Sequence, residues 1–118
     1  MIRENVLKDK SLAFAIRIVN LNKYLVSDKN EFVMSKQILR SGMSVGDIVR
    51  EAEFGQSKPD FIHKLAIFQK EINETIYWLE LLQATQYIDR SLFESMHAYA
   101  VGLIKLITSS IKTVKSKL

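Results

Sequence analysis

The sequence predicts an all-α fold, an antiparallel up-down-up-down four-helix bundle in which residues 1–118 form a single domain. Apolar residues recur at spacings of three and four along most of the chain, which is the period of an α-helix. The 118 residues include only four glycines and one proline, so few positions interrupt long helices. No segment alternates apolar and polar residues with a period of two, and therefore no strand is predicted. Long helices with short connections favour antiparallel neighbours.

The first two helices are predicted at about residues 6–26 and 31–53. Residues 27–30, with the sequence SDKN, consist of residues that favour turns and are expected to end the first helix. Gly55 follows the second helix and is a candidate for its C-terminal cap, because glycine readily adopts the left-handed conformation found there.

The third helix is predicted at about residues 59–86, and the fourth follows the segment YIDRS. Ser57 and Asp60 form a Ser-x-x-Asp pattern, which is typical of a helix N-terminus. Ser91 and Glu94 form the corresponding pair before the fourth helix. The two pairs therefore predict where the last two helices begin.

The third and fourth helices carry more apolar residues than one stripe of a bundle core requires. In the third helix the additional residues are Ile67, Tyr77, Trp78 and Leu81. Surplus apolar surface of this kind is typical of an interface, so we expect a homo-oligomer and predict these four residues as its contact surface. The alternative is a core that is deeper than the four stripes indicate.

The segment GMSVG, residues 42–46, matches the Gly-x-Ser-x-Gly pattern that places a nucleophilic serine in serine hydrolases. That turn requires a strand before Ser44, whereas the apolar spacing here predicts an uninterrupted helix. Gly42 and Gly46 are four residues apart and share one helix face, so we predict that they let another helix approach closely. Close packing would offset the cost of about 1 kcal/mol that each glycine imposes on a helix. No catalytic residue is predicted, and the protein is expected not to be an enzyme.

Two acid–histidine pairs, Asp60 with His63 and Glu94 with His97, have the Glu-x-x-His spacing of di-iron bundles or its Asp equivalent. Both pairs belong to the first turns of their helices, and those turns lie at opposite ends of antiparallel neighbours. The expected separation is roughly 28 Å at about 1.5 Å per residue. No single metal cluster can use both pairs, so neither a metal site nor a cofactor is predicted.

The basic residues suggest a surface for an anionic partner. The formal net charge is +4, and no acidic residue follows Glu94. The residues that we predict to contact nucleic acid are Arg40, Arg50, Lys105, Lys112, Lys115 and Lys117. The alternative is that the C-terminal lysines only favour the helix dipole and keep the chain in solution.

Two segments resemble a known family. They are QILRSGMSVGDIVREA, residues 37–52, and DFIHKLAIFQKEINETIYWLELL, residues 60–82. Both resemble the four helix bundle proteins encoded in intervening sequences of 23S rRNA genes. The resemblance implies a bundle that forms a ring, with a pentamer favoured, and no known catalysis. Met43, where threonine is usual, departs from the family pattern, as do Asp47 and Ile48, where a small residue and asparagine are usual.

Related proteins include accessory subunits of diversity-generating retroelements, which bind nucleic acid and a reverse transcriptase. The sequence and this resemblance together predict a non-enzymatic homo-oligomer that binds RNA or DNA through basic helical surfaces. The alternative is a protein-interaction scaffold or accessory subunit without direct nucleic-acid contact. We expect no membrane partner and a cytoplasmic location, because the chain lacks cysteine, an apolar signal core and an apolar run of about 18 residues.

Overall fold

A computed structural model describes residues 2–53 and 57–116 of the chain, with side chains for residues 6–52 and 57–116. The described residues form four helices and no strand. The helices are α1 (Ile2–Ser27), α2 (Met34–Glu53), α3 (Lys58–Ala84) and α4 (Arg90–Ser116). The predicted all-α bundle is therefore confirmed. Two predicted residues, Gly55 and Lys117, lie outside the described part of the chain.

The four helices are antiparallel to their neighbours and form an elongated bundle of 48 × 21 × 20 Å. Ile18 of α1 lies against Gly42 of α2, and Ser11 lies against Gly46, so residue numbers run in opposite directions on the two helices. Contacts between α2 and α3 and between α1 and α4 show the same reversal. Each helix packs against two others, and within the described residues the diagonal pairs α1–α3 and α2–α4 do not pack.

All four helices contribute large apolar side chains to the core. The fully buried ones are Phe14, Ile18, Leu25, Ile38, Leu65, Phe68, Ile72, Leu79, Leu82, Met96, Leu103 and Ile107. Burying one such side chain contributes about 1.5–3 kcal/mol, so this set supplies most of the driving force for folding. A buried hydroxyl pair joins α2 to α3, where Thr75 Oγ1 lies 2.8 Å from Ser41 Oγ.

The second helix begins at Met34 and not at Glu31 as predicted. The buried carboxylate of Glu31 accepts the backbone N–H groups of Val33, Met34 and Ser35 at 3.2, 3.1 and 2.7 Å. A residue whose side chain satisfies these N–H groups precedes the helix and does not belong to it. Glu31 therefore caps α2 and fixes the connection from α1.

Helix α3 begins as the sequence predicts, and α4 does not. Ser57 is the N-cap of α3, and its Oγ accepts the N–H of Asp60 at 3.2 Å. At α4 the prediction of Ser91 as the cap is wrong. Asp89 has that role, because its Oδ1 accepts the Leu92 N–H at 2.8 Å. The helix therefore begins two residues earlier than a Ser91 cap implies.

The turn from α3 to α4 is closed by a non-glycine residue with a positive φ. Gln86 has φ 68°, and its N–H donates to the Gln83 carbonyl at 3.1 Å. The next N–H, from Tyr87, donates to the Leu82 carbonyl at 2.9 Å. This pair of bonds is the usual helix C-terminal motif, in which glycine is the common residue at the left-handed position.

Candidate functional site

The glycine segment of α2 forms a helix–helix contact. Ser44 lies within α2, and its Oγ donates to the Ser41 carbonyl at 2.7 Å. The residues on both sides are helical, so the strand–turn–helix that a nucleophilic serine requires is not formed here. A Cβ on Gly42 would lie 2.6 Å from Ile18 Cγ1, whereas a Cβ on Gly46 would lie 3.9 Å from the nearest atom, the carbonyl oxygen of Ser11. The close approach of α1 therefore requires glycine at position 42. At position 46 a Cβ atom would fit, so glycine is not required there.

The two acid–histidine pairs lie at opposite ends of the bundle. Asp60 and His63 belong to the start of α3, and Glu94 and His97 to the start of its antiparallel neighbour α4. The His97 ring stacks on Phe93, with 5.2 Å between the ring centroids. Within the described part of the chain, no group of three or more His, Asp or Glu side chains is placed to hold a metal ion.

Arg40, one of the predicted nucleic-acid contacts, is held by two carboxylates of α3. Its Nη2 lies 2.6 Å from both carboxylate oxygens of Glu74 and 3.4 Å from Glu71 Oε2. The hydrogen bond to Glu74 is the main reason that the pKa of Arg40 is raised, and the same bond lowers the pKa of Glu74. The positive charge of Arg40 is thus offset within the bundle, and this side chain does not add to a cationic surface.

The other described basic residues of the predicted set lie on two different helices. Lys105, Lys112 and Lys115 are exposed on α4, and Arg50 is exposed on α2. At 100° per residue the three lysines fall within about 80° of one another on the helix face opposite the core stripe. Because α2 and α4 are diagonal, the fold does not bring Arg50 to these lysines. The three lysines are called the α4 lysine face below.

Among the residues of the predicted contact surface, Tyr77 is the most exposed, at 55%. Ile67 and Trp78 are half-buried and pack against the core, and Leu81 is half-buried as well. The Tyr77 and Trp78 rings meet edge to face, with 5.0 Å between their centroids. The exposed part of this surface, Tyr77 together with the outer edge of Trp78, is called the α3 patch.

The fold also exposes apolar residues that the prediction does not include. Leu12 and Ile16 on α1 are 49% and 54% exposed, and Met43 on α2 is 47% exposed. Leu12 and Ile16 are four residues apart and lie on the side of α1 that faces away from the core. Met43 follows Gly42, which lies against Ile18, so the three residues lie at about the same level on neighbouring helices, and they are called the α1–α2 patch. The signal for Leu12 and Ile16 was in the sequence, since α1 carries apolar residues on two faces.

Residues 3–109 match the family model described as 23S rRNA-intervening sequence protein. The chain belongs to this family. It is also similar to a protein with unknown function from the S23 ribosomal protein family of Bacteroides thetaiotaomicron VPI-5482, known from a crystal structure. The two share 59% sequence identity and a TM-score of 0.92, over 93% of this chain and 98% of the other. A search of curated proteins gave no match.

The family assignment agrees with the resemblance of residues 37–52 and 60–82 and with the four-helix architecture. The descriptions of the family and of the similar structure name no reaction. None of the described helices has a stretch long and apolar enough to cross a membrane.

Proposed function

We propose that this member of the 23S rRNA-intervening sequence family is a non-enzymatic bundle that assembles with copies of itself into a closed ring. The observation that supports this proposal is that apolar side chains are exposed on two separate helical surfaces of one small bundle, in addition to Phe32 and Val33 between α1 and α2. The α1–α2 patch and the α3 patch lie on different helices and contain different residues. Exposed apolar patches on a small domain are typical of interaction surfaces.

Two unlike patches favour a head-to-tail contact, in which the α1–α2 patch of one copy meets the α3 patch of the next. Every copy then offers one patch of each kind, and repeated contacts give a ring if the rotation closes. A two-fold dimer would instead need both patches of each copy to belong to one self-complementary surface at the axis. The family resemblance favours five copies in the ring.

The proposed contact is tested with two variants that each remove one patch. Ile16→Glu and Tyr77→Glu place a charge in the α1–α2 patch and in the α3 patch, and both positions are more than half exposed, so the bundle should still fold. Ala98→Glu, at an exposed position of α4 outside both patches, is the control. Molar mass is measured by light scattering after size-exclusion chromatography, and helicity by circular dichroism.

Each patch variant alone should have a lower mass than the wild type and the same helicity, whereas the control keeps the mass of the wild type. A mixture of the two patch variants should form a dimer, because one intact patch remains on each partner. A wild-type protein that is monomeric at micromolar concentration would refute the ring. A mixture that stays monomeric would refute the head-to-tail pairing.

The α4 lysine face supports a second function, the binding of RNA or DNA. No acidic residue follows Glu94, so no carboxylate in the rest of α4 offsets Lys105, Lys112 and Lys115. A ring would carry one such face on every copy, and the phosphate contacts of the copies would add. Arg40 does not belong to this surface, because it is paired with Glu74.

This second function is tested by filter binding to structured RNA and to duplex DNA at three salt concentrations. The variant changes all three lysines of the α4 lysine face to glutamine, and the control changes Lys36 and Lys70, which are exposed on other helices. For duplex DNA, the slope of log affinity against log salt should fall by about 0.9 for each lysine that contacts a phosphate. Equal slopes for variant and control, or no binding at low salt, would refute the proposed surface.

A further inference from the structure

We propose that the cleft at the turn end of the bundle binds a nucleotide, with its base against Tyr24 and its phosphate between basic side chains. The cleft lies where the end of α1, the α3–α4 turn and the start of α4 meet. It consists of two adjoining cavities of about 460 and 220 Å³, which share Tyr24 and Leu92 in their lining. Small-molecule sites in proteins usually have volumes of about 300–1,000 Å³.

The smaller of the two cavities is mainly apolar. Leu21 and Met96 are buried at its floor, and Leu92 is half-buried beside them. Tyr24 is 36% exposed and belongs to the lining of both cavities. An accessible aromatic ring beside an apolar floor suits the stacking of a nucleotide base, whichever base it is.

Three basic residues line the cleft around this apolar floor, namely Arg17, Lys29 and Arg90. Lys29 Nζ lies 5.9 Å from the centroid of the Tyr24 ring, which places a cation next to the proposed stacking surface. The Arg90 side chain is 83% exposed, and its contact with the 67% exposed Glu94 is long, at 3.8 Å. Such an exposed ion pair is weak, so Arg90 remains available to a ligand. A phosphate group provides the negative charge that such a set of cations attracts.

Arg17 and Asp89 have defined positions in the cleft wall. Arg17 Nη2 donates to Ser95 Oγ at 2.9 Å and so links α1 to α4 beside the cleft. Asp89 is the one acidic residue in the lining, and its Oδ1 accepts the N–H of Leu92 in the first turn of α4. The carboxylate is thereby turned toward the helix end, and the three cations outnumber it.

Gln86 gives a second, independent reason to assign a ligand to this cleft. It has φ 68°, a left-handed conformation for which glycine is the usual residue at a helix C-terminus. Gln86 lines the cleft together with Gln83. Both amides offer a donor and an acceptor, the groups that read the polar edge of a base. A non-glycine residue in the left-handed conformation costs free energy, and such residues are frequent at functional sites.

The cleft is separate from the surfaces of the proposed function. Its side chains on α1 face α4, as the bond from Arg17 to Ser95 shows, whereas the α1–α2 patch faces away from the core. Lys112 and Lys115 belong to the other end of α4. Nucleotide binding in the cleft can therefore succeed or fail independently of ring formation and of the α4 lysine face.

A free nucleotide and an unpaired nucleotide of single-stranded nucleic acid both offer a base and a phosphate to this cleft. Isothermal titration calorimetry of the full-length protein with AMP, GMP, CMP and UMP tests the free nucleotide. Fluorescence anisotropy with a labelled single-stranded RNA of eight nucleotides tests the second. Inorganic phosphate is titrated in parallel, because binding of phosphate without any preference for a nucleotide would refute the proposed base contact.

The variants are Tyr24→Ala, Tyr24→Phe and the pair Lys29→Gln with Arg90→Gln, and Lys105→Gln is the control. Tyr24→Ala and the double variant Lys29→Gln with Arg90→Gln should each lower the affinity for the ligand at least tenfold. Tyr24→Phe keeps the stacking ring, so its affinity should stay within threefold of that of the wild type. The control should leave mononucleotide affinity unchanged. Circular dichroism of each variant verifies the fold.

Gln86→Gly separates a ligand-binding role from a structural one. Glycine suits the left-handed position, so this variant should raise the melting temperature and at the same time weaken nucleotide binding. A higher melting temperature with unchanged binding would show that Gln86 does not contact the ligand. Failure of all four mononucleotides and of the RNA to bind, or binding that Tyr24→Ala leaves unchanged, would refute the nucleotide site itself.

Discussion

Replacing Gly42 by alanine should destabilise the bundle, although alanine is the better helix former. The new Cβ would lie 2.6 Å from Cγ1 and 2.7 Å from Cγ2 of Ile18. Favourable carbon–carbon contacts have separations of about 3.5–4.0 Å, so the two helices have to move apart by close to 1 Å. Ile18 is fully buried, and its branched side chain has a single preferred χ1 rotamer in a helix, so it cannot turn away.

The size of the effect follows from two opposing contributions. Alanine in place of glycine stabilises a helix interior by about 1 kcal/mol. Overpacking of a well-packed core typically costs about 1–3 kcal/mol, and an overlap with two carbon atoms of a rigid side chain belongs near the upper end. We therefore expect Gly42→Ala to lower the free energy of unfolding by about 1–2 kcal/mol, which lowers the melting temperature by about 3–8 °C for a chain of this size.

Two other glycines provide matched controls for the same substitution. A Cβ on Gly102 would meet no atom within 4 Å, and a Cβ on Gly46 would make only an ordinary contact at 3.9 Å. Gly102→Ala and Gly46→Ala should therefore raise the free energy of unfolding by about 0.5–1 kcal/mol. All three are measured by urea denaturation at one fixed protein concentration, because self-association would make apparent stability depend on concentration.

The close contact is identified by a double-mutant cycle with Ile18→Ala. Removing Cγ1 and Cγ2 of Ile18 should itself cost about 2–5 kcal/mol. The Gly42→Ala substitution should then add little further loss, because the atoms it overlaps have been removed. If Gly42→Ala stabilises the protein as much as Gly102→Ala does, the proposed approach of α1 to α2 at this position is wrong.

Arg40→Gln should lower the free energy of unfolding by about 1 kcal/mol at pH 7, and Arg50→Gln, which changes an exposed arginine of the same helix, by less than about 0.5 kcal/mol. Because the pKa of Glu74 is lowered in the folded state, the difference between wild type and Arg40→Gln should be full at neutral pH and decline in acid, as the pH falls through that lowered pKa. Urea titrations from pH 7 to pH 3 measure it, and a difference that is the same at both ends of this range would contradict the ion pair. Asp89→Ala should lower the free energy of unfolding by about 1 kcal/mol through loss of the α4 cap, while Ser91→Ala should have almost no effect. Thermal melts compare the two variants, and a larger loss of stability for Ser91→Ala would show that Ser91 is the cap.

Features that depend on near neighbours in the sequence could be predicted well. The spacing of apolar residues predicts all four helices, and the Ser57–Asp60 pattern predicts the start of α3. The starts of α2 and α4 were predicted less well, because several nearby polar residues compete to cap a helix. Glu31 and Asp89 succeed because the turns before them aim their carboxylates at free N–H groups.

The surfaces could be predicted only in part. The sequence showed that α3 carries more apolar residues than one core stripe needs, but not which of them are exposed. Tyr77 is exposed, whereas the next residue, Trp78, packs against the core. The distribution of basic residues along the chain did not reveal that Arg40 would meet Glu74 across α2 and α3. Such a pairing depends on how far one helix is shifted and rotated against the next, and sequence spacing on one helix carries no information about either.

The sequence by itself therefore determined the helices, the all-α bundle and the family, because helix period and capping are local properties of the chain. Only the tertiary structure decided that Gly42 lies against Ile18, that Arg40 is paired with Glu74, and that Tyr24, Gln86 and Arg90 line one cleft. The cleft draws residues from both halves of the chain. Their proximity arises when the burial of all four apolar stripes fixes the relative positions of the helices, and this is a property of the whole bundle.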